Sequence, residues 1–264
     1  MSGVLARIVE AKRAEVSALQ ARGPGPSNRV RAPLSLTASL RRGQGDPLRL
    51  VLEHKRRSPS AGALSTQLSP AQRALVYARG GAAGLSVLTD AGFFDGSYDH
   101  VTEIHRALCE ARLQVPVLAK EFVLDEVQID EAYAAGADAV LLVARLVSPE
   151  RLAQLHAHAR ARSLDALVEV YTDEEADVVR ELGAWLVGVN ARDLDTLEMD
   201  PDRAHRILAS FDPEVVTVHL SGLSAPADVH RVAEGPAAAA LVGESLMRLD
   251  DPAARLAELR AATG

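Results

Sequence analysis

The residues best able to do chemistry in this sequence stand at the ends of short apolar runs. Leu50-Val51-Leu52 leads into Glu53-His54-Lys55, Val117-Leu118-Ala119 into Lys120-Glu121, and Leu167-Val168 into Glu169. Val187-Gly188-Val189 leads into Asn190-Ala191-Arg192. Glu53 and Lys55 are two residues apart, so on a strand they share a face. Two lysines and two carboxylates drawn into one partly desolvated cavity shift one another's proton affinities, which suits acid and base work near neutral pH. Taken singly, each of these residues fits equally well as a solvated strand end or half of an inter-strand salt bridge. Their recurrence at run after run weighs against that.

Such residues need a scaffold that brings strand ends together. From Leu48 onward, apolar runs alternate with charged segments of helical period, the pattern of parallel strands joined by crossover helices. The expected strands are 48–55, 83–89, 115–120, 137–144, 165–171, 185–190, 216–221 and 238–243. Between them Pro70–Arg79, Pro149–Arg162, Asp173–Leu182 and Ala225–Ala233 read as helices, several opened by Ser, Asp or Pro. The spacing of roughly 25–30 residues per unit fits a βα repeat. The expected fold is therefore α/β, a single closed (β/α)8 TIM barrel over 1–264 rather than an open doubly wound sheet. No Gly-x-Gly-x-x-Gly follows the first strand, as a dinucleotide-binding fold would need. Leu5, Ile8, Val9, Val16 and Leu19 recur at helical spacing, giving an extra N-terminal helix over 1–22, with 23–47 as a connecting segment broken by Gly and Pro. In a barrel of this type the active site lies at the C-terminal mouth, and the late loops often hold a phosphate. Ser221-Gly222-Leu223-Ser224 and Gly243-Glu244-Ser245 occupy those late loops, although a small turn residue at a strand-to-helix junction explains each glycine equally well.

Composition agrees with this scaffold and narrows the partners. Hydrophobic residues make up 48% of the 264 residues but aromatics only 3%, so the core is expected to be built from Ala, Val and Leu. A formal net charge of -7 argues against nucleic acid, while a few local cations suffice for a small phosphorylated substrate. No segment reaches the roughly 18 uncharged apolar residues of a membrane span. Arg7, Glu10, Lys12 and Arg13 interrupt the apolar start that a secretory leader requires. The single cysteine, Cys109, forms no internal disulfide, so a cytoplasmic location is expected, with Cys109 as a small core residue. His156 and His158 are two apart on an expected helix and face different ways, so they are read as solvated residues rather than a metal pair. Trp185 is expected to pack at the start of the sixth strand.

The motifs match a known family. Glu53-His54-Lys55-Arg56-Arg57-Ser58-Pro59-Ser60 resembles the Glu-x-Lys-x-x-Ser-Pro-Ser segment of indole-3-glycerol-phosphate synthases. Ser86-Val87-Leu88-Thr89-Asp90, Phe93-Phe94-Asp95-Gly96-Ser97, Lys120-Glu121-Phe122, Glu169-Val170-Tyr171-Thr172, Asn190-Ala191-Arg192-Asp193-Leu194 and Leu241-Val242-Gly243-Glu244-Ser245 follow in the family's order. The resemblance covers almost the whole chain, including the helix that caps the barrel in that family.

It implies a carboxy-lyase of tryptophan biosynthesis, which converts 1-(2-carboxyphenylamino)-1-deoxyribulose 5-phosphate to indole-3-glycerol phosphate with loss of carbon dioxide and water. The family uses no cofactor and no metal. By resemblance, Lys120 is the general acid for ring closure, and Lys55 holds the substrate carboxylate and protonates the departing hydroxyl. Glu169 is the base in the dehydration, with Glu53 assisting proton transfer. Asn190 and Arg192 position the anthranilate end, and Phe93, Phe94 and Leu241 give its ring an apolar wall. Ser58, Ser60, Ser221, Gly222, Gly243 and Glu244 line the substrate and phosphate site. Association with other enzymes of the tryptophan pathway is a further implication.

Four positions depart from the family pattern. Leu220 stands where a Glu is usual before Ser221-Gly222, and leucine neither accepts a proton nor hydrogen-bonds. His219 beside it lies on the opposite face of a regular strand and replaces that Glu only through a bulge or register change. Ala191 stands for a second Asn, His54 for an apolar residue, and Glu121 for the Asp that usually follows the catalytic lysine. Two other readings stay open on this ground: a diverged paralogue acting on a related arylamino-sugar phosphate, and a catalytically silent barrel that binds a phosphorylated ligand or a partner enzyme.

Overall fold

The structure is a computed structural model that describes residues 4–23, 25–58 and 62–264. Helix α1 (Val4–Arg22) is followed by the short helix α2 (Leu36–Leu40), which lies in the segment read from sequence as connecting chain. Strand β1 (Arg49–His54) then leads to a small antiparallel pair, β2 (Arg57–Ser58) and β3 (Gly62–Ala63). The repeat continues as α3 (Pro70–Arg79), β4 (Gly84–Leu88), α4 (Ala91–Phe94), α5 (Tyr98–Glu110), β5 (Val117–Lys120), α6 (Glu126–Ala135) and β6 (Ala139–Val143). After a 3-10 turn (Ala144–Leu146) come α7 (Pro149–Ala161), β7 (Asp165–Val170), α8 (Asp173–Leu182), β8 (Leu186–Asn190), α9 (Pro201–Ala209) and β9 (Val216–Leu220). The chain ends with α10 (Pro226–Ala233), β10 (Ala239–Val242), α11 (Glu244–Met247) and α12 (Ala253–Ala261). Each expected strand contains one observed strand.

The strands close in the order β1-β10-β9-β8-β7-β6-β5-β4, every pairing parallel. Alternation then sorts the side chains. Val51, Leu118, Leu141, Leu167, Val218 and Leu241 fill the barrel interior, while their neighbours, such as Leu52, Leu142 and Val168, pack beneath the helices. Helix starts are fixed by local chemistry: Ser69 and Gln72 form a capping box on α3, as do Thr172 and Glu175 on α8, and α3 and α7 have proline in the first turn.

Helix α1 lies across the C-terminal mouth and is tied to two sides of it. The Leu5 amide donates to Asp195 beyond β8, at 3.3 Å. Lys12 has no exposed side-chain surface and meets Glu15 at 2.6 Å, Asp90 at 2.8 Å and Glu121 at 2.9 Å, beyond β4 and β5. Burial lowers the proton affinity of Lys12, but Glu121, Asp90 and Glu15 outweigh it, and the ammonium stays charged.

Three surface expectations are corrected. Trp185 is 51% exposed, because it precedes β8 at the N-terminal rim, where its carbonyl accepts from Val216 N. His156 is buried, since it lies on the face of α7 that turns toward the barrel, whereas His158 is part-buried beside Asp130. Cys109 is half-buried on α5, 4.0 Å from His105, rather than in the core.

Candidate active site

The barrel register decides which strand ends meet. Glu53, Lys120, Glu169, Asn190 and Leu220 each stand an even number of residues beyond an inward-facing position of their own strand, so all five side chains turn inward at the mouth. There a cavity of about 920 Å³ opens. Its wall includes Glu53, Lys55, Ser58, Phe94, Lys120 and Glu169, together with Asn190, Arg192, Ser221, Gly222, Leu241, Gly243 and Glu244. Of the remaining residues implied by the resemblance, Phe93 packs against the inner core without reaching this wall, and Ser60 lies outside the described residues.

Glu53 is the electrostatic centre. Its Oε1 accepts an ion pair from Lys55 Nζ at 2.8 Å, and its Oε2 lies 3.4 Å from Lys120 Nζ and from the Ser86 hydroxyl, which donates to it. Only 3% of the Glu53 side chain is exposed, against 14% for Lys55 and 20% for Lys120, so the carboxylate lies deep and both ammonium groups reach into the cavity. Burial alone would raise the Glu53 pKa, but Lys120 and Lys55 outweigh it and hold the carboxyl down at about 2. Burial likewise lowers the proton affinity of Lys120, and Glu53 with Glu169 reverses that to a net rise. Lys120 therefore stays charged where it lines the cavity. Gly243 is required beside this cluster: a Cβ there would come within 2.6 Å of Glu53 Oε1, closer than real Cβ atoms approach.

Glu169 lies deeper on the same wall, and its Oε1 accepts from Asn190 Nδ2 at 2.9 Å. Asn190 Oδ1 in turn accepts from the Arg192 backbone N–H at 3.0 Å, which fixes the amide with its NH2 toward Glu169. Arg192 Nη1 donates to the Leu197 carbonyl at 3.2 Å, turning the 191–200 loop over the cavity edge. Across the cavity Phe94 and Phe122 pack at 6.1 Å, and with Ile8 of α1, Leu141 and Val143 they make an apolar wall suited to an aromatic ring. Asp90 supports it by accepting the Phe93 and Phe94 amides at 2.6 and 3.2 Å.

Leu220 is 1% exposed and turns inward over Gly188, where a Cβ would lie 2.7 Å from its Cδ1. The β8–β9 pairing is regular, Val189 opposite His219 and Asn190 opposite Leu220, with no bulge. His219 therefore stays on the outer face, its ring donating through Nε2 to the Ser221 carbonyl at 3.2 Å, and does not substitute for a carboxylate at 220. It nonetheless contributes to the cavity lining. Sequence reasoning did not single out Ile8, Phe122, Leu141 or Val143 as wall residues. The inward parity of positions 141 and 143 within their strand was the available signal for the last two; Ile8 carried none. Among the described residues no group of three or more His, Cys, Asp or Glu is placed to hold a metal ion. No helix among them is long and apolar enough to cross a membrane.

Fold and site together define a (β/α)8-barrel enzyme with paired lysines and carboxylates at its mouth. Solved structures with the same fold include a 3-hexulose-6-phosphate synthase, at TM-score 0.64 and 20% identity, covering 82% of this chain and 100% of the other. A thiamine phosphate pyrophosphorylase from Pyrococcus furiosus matches at TM-score 0.62 and 17% identity, over 87% and 98% of the two chains. Residues 5–259 match the indole-3-glycerol phosphate synthase family, and the chain belongs to that family. Relatives carrying that name include those of Desulfosudis oleivorans, 36% identical over 98% of this chain and 99% of the other, and Mycolicibacterium vanbaalenii, 39% identical over 97% and 93%. The chain is a lyase of tryptophan biosynthesis.

Proposed function

We propose that the mouth closes the indole ring of 1-(2-carboxyphenylamino)-1-deoxyribulose 5-phosphate, with Lys120, Lys55, Glu169 and Glu53 as its proton-handling groups. The observation that carries this reading is the buried Glu53 carboxylate shared by two lysines that reach into one cavity, with Glu169 close enough to raise the proton affinity of Lys120. The ring carbon bearing the carboxylate attacks the ribulose carbonyl carbon, and Lys120 gives its proton to the carbonyl oxygen. Carbon dioxide leaves, returning its bonding electrons to the ring. The hydroxyl departs as water with a proton from Lys55, and Glu169 takes the proton lost from the neighbouring carbon. Glu53 holds both lysines and relays protons between them. Each proton transfer of this kind contributes on the order of 10²–10⁴-fold.

Substrate placement follows the cavity's polarity. Phe94 and Leu241 face the aromatic ring, and Asn190 and Arg192 its anthranilate end. The phosphate lies by Ser58, Ser221, Gly222, Gly243 and Glu244, and by family resemblance Ser60 joins that set while Phe93 joins the ring wall. The protein works in the cytoplasm, consistent with its lone half-buried cysteine, alongside other enzymes of the pathway and without a nucleic-acid partner. In a turnover assay with this substrate the purified chain generates indole fluorescence and carbon dioxide, and Lys120→Ala abolishes both. The same fluorescence unchanged in Lys120→Ala would overturn the assignment. Leu220 favours one second reading, a paralogue acting on a related arylamino-sugar phosphate; turnover confined to ring-substituted adducts would establish it.

A further inference from the structure

Arg203, on the first turn of α9, lies outside every role assigned above, yet it is only 9% exposed and its one ion pair among the described residues is long. The partner, Asp200, is half-exposed and 3.8 Å away. The guanidinium instead lies against the Tyr171 ring, 3.3 Å from the centroid, and Nη2 donates to the Asn190 backbone carbonyl at 2.9 Å. Its Nε is buried with no hydrogen-bond partner among the described residues. A second guanidinium, Arg145, packs on the same ring at 4.7 Å and is held by Glu175 at 2.8 Å and Asp193 at 3.6 Å. Glu175 also accepts the Tyr171 amide at 2.6 Å.

These contacts converge on two residues. Tyr171 is two positions beyond Glu169, and Asn190 donates to Glu169 Oε1. Burying an arginine with one donor unsatisfied is costly, and an apolar residue would fill the same space on a helix without that cost. What arginine alone supplies is a planar cation that stacks on a ring while donating to a carbonyl at a fixed angle.

We infer that Arg203 is a positioning residue for the reaction: by clamping the Asn190 carbonyl and the Tyr171 ring, it fixes the Asn190–Glu169 pair at the angle needed for proton removal. The inference rests on Glu169 being the base. It predicts that Arg203→Met lowers kcat on the order of tenfold while KM and the affinity for indole-3-glycerol phosphate stay near those of the parent. Arg203→Lys recovers part of kcat, since it restores the donor without the stacked plane. Tyr171→Leu, which removes the platform and leaves Arg203 in place, gives the same fall in kcat at unchanged KM.

The decisive set is steady-state kinetics and product titration on these three variants, with Glu169→Gln alongside and thermal melts to confirm folding. If folded Arg203→Met and Tyr171→Leu keep the parental kcat, or if KM rises as kcat falls, the positioning role is overturned even when both melt earlier. If Arg203→Met does not fold, Arg203→Lys and Tyr171→Leu decide by the same criterion. Turnover that survives in Glu169→Gln overturns the base assignment instead, whatever the Arg203 variants do.

Discussion

Two lysines share one buried carboxylate, so Glu53 sets where both ammonium groups stand at this mouth. Removing its charge leaves Lys55 and Lys120 facing each other without the anion that pairs with both. Glu53→Gln is therefore expected to lower kcat by at least about a hundredfold, within the range for loss of a proton-handling group. Turnover against pH would register it: a plateau like the parent's, at the parental height, would refute the shared-anion arrangement. Leu220 poses the converse question, because the inner wall is apolar where the family usually presents a carboxylate. Leu220→Glu is expected to raise turnover of the unsubstituted substrate. Unchanged turnover would mean that the missing carboxylate is not what limits the enzyme.

At the scale of elements, helix α1 and strand β1 each carry a buried ionisable residue whose charge state decides how firmly the element is held. Among the described residues only Lys12 forms an ion pair with the buried Asp90 and Glu121, so Lys12→Met strands both carboxylates and costs on the order of 3–5 kcal/mol. A denaturant melt within about 1 kcal/mol of the parent would disprove that dependence. On β1, both ring nitrogens of His54 are buried without partners, and the ring meets His100 edge-on at 5.4 Å. Burial first, then His100, Arg73 and Arg56, push its pKa down to about 3. In the folded chain His54 stays neutral while the unfolded chain takes up a proton near 6.5, so stability falls as pH drops from about 6.5 toward 3. Glu53 adds to this lower down, because its folded pKa of about 2 means that stabilisation is lost as pH falls from 4.5 toward 2. His54→Leu should move the acid unfolding midpoint to lower pH. A midpoint that stays put would place the acid sensitivity elsewhere.

At the scale of the molecule, the closed barrel lets one cavity draw on nearly all its strands, with the ring wall on the β4–β6 side and the small-residue loops after β9 and β10 opposite. A ligand with an aromatic ring and a phosphate spans the two. Anything that binds only the folded state raises its stability by RT ln(1 + [L]/Kd), about 2.7 kcal/mol at a hundredfold excess over Kd. Indole-3-glycerol phosphate should therefore raise Tm by several degrees. Indole-3-glycerol without the phosphate, at the same concentration, should do so far less. Equal shifts would place the phosphate outside the cavity.

The strands, their inward parity and most of the polar mouth were legible in the sequence because each depends on local facts: a period of two, a cap or turn residue, and a charged residue closing an apolar run. The pairing of Glu53 with Lys55 is likewise a matter of spacing along one strand. Lys120 meeting Glu53, Glu169 meeting Asn190 and α1 pinned through Lys12 join residues far apart in the chain, and only barrel closure and strand register set those distances. Burial is the other quantity that tertiary structure alone decided. It exposed Trp185, enclosed His156 and left Phe93 off the cavity wall, because a residue's neighbours, unlike its periodicity, are chosen by the elements that pack around it.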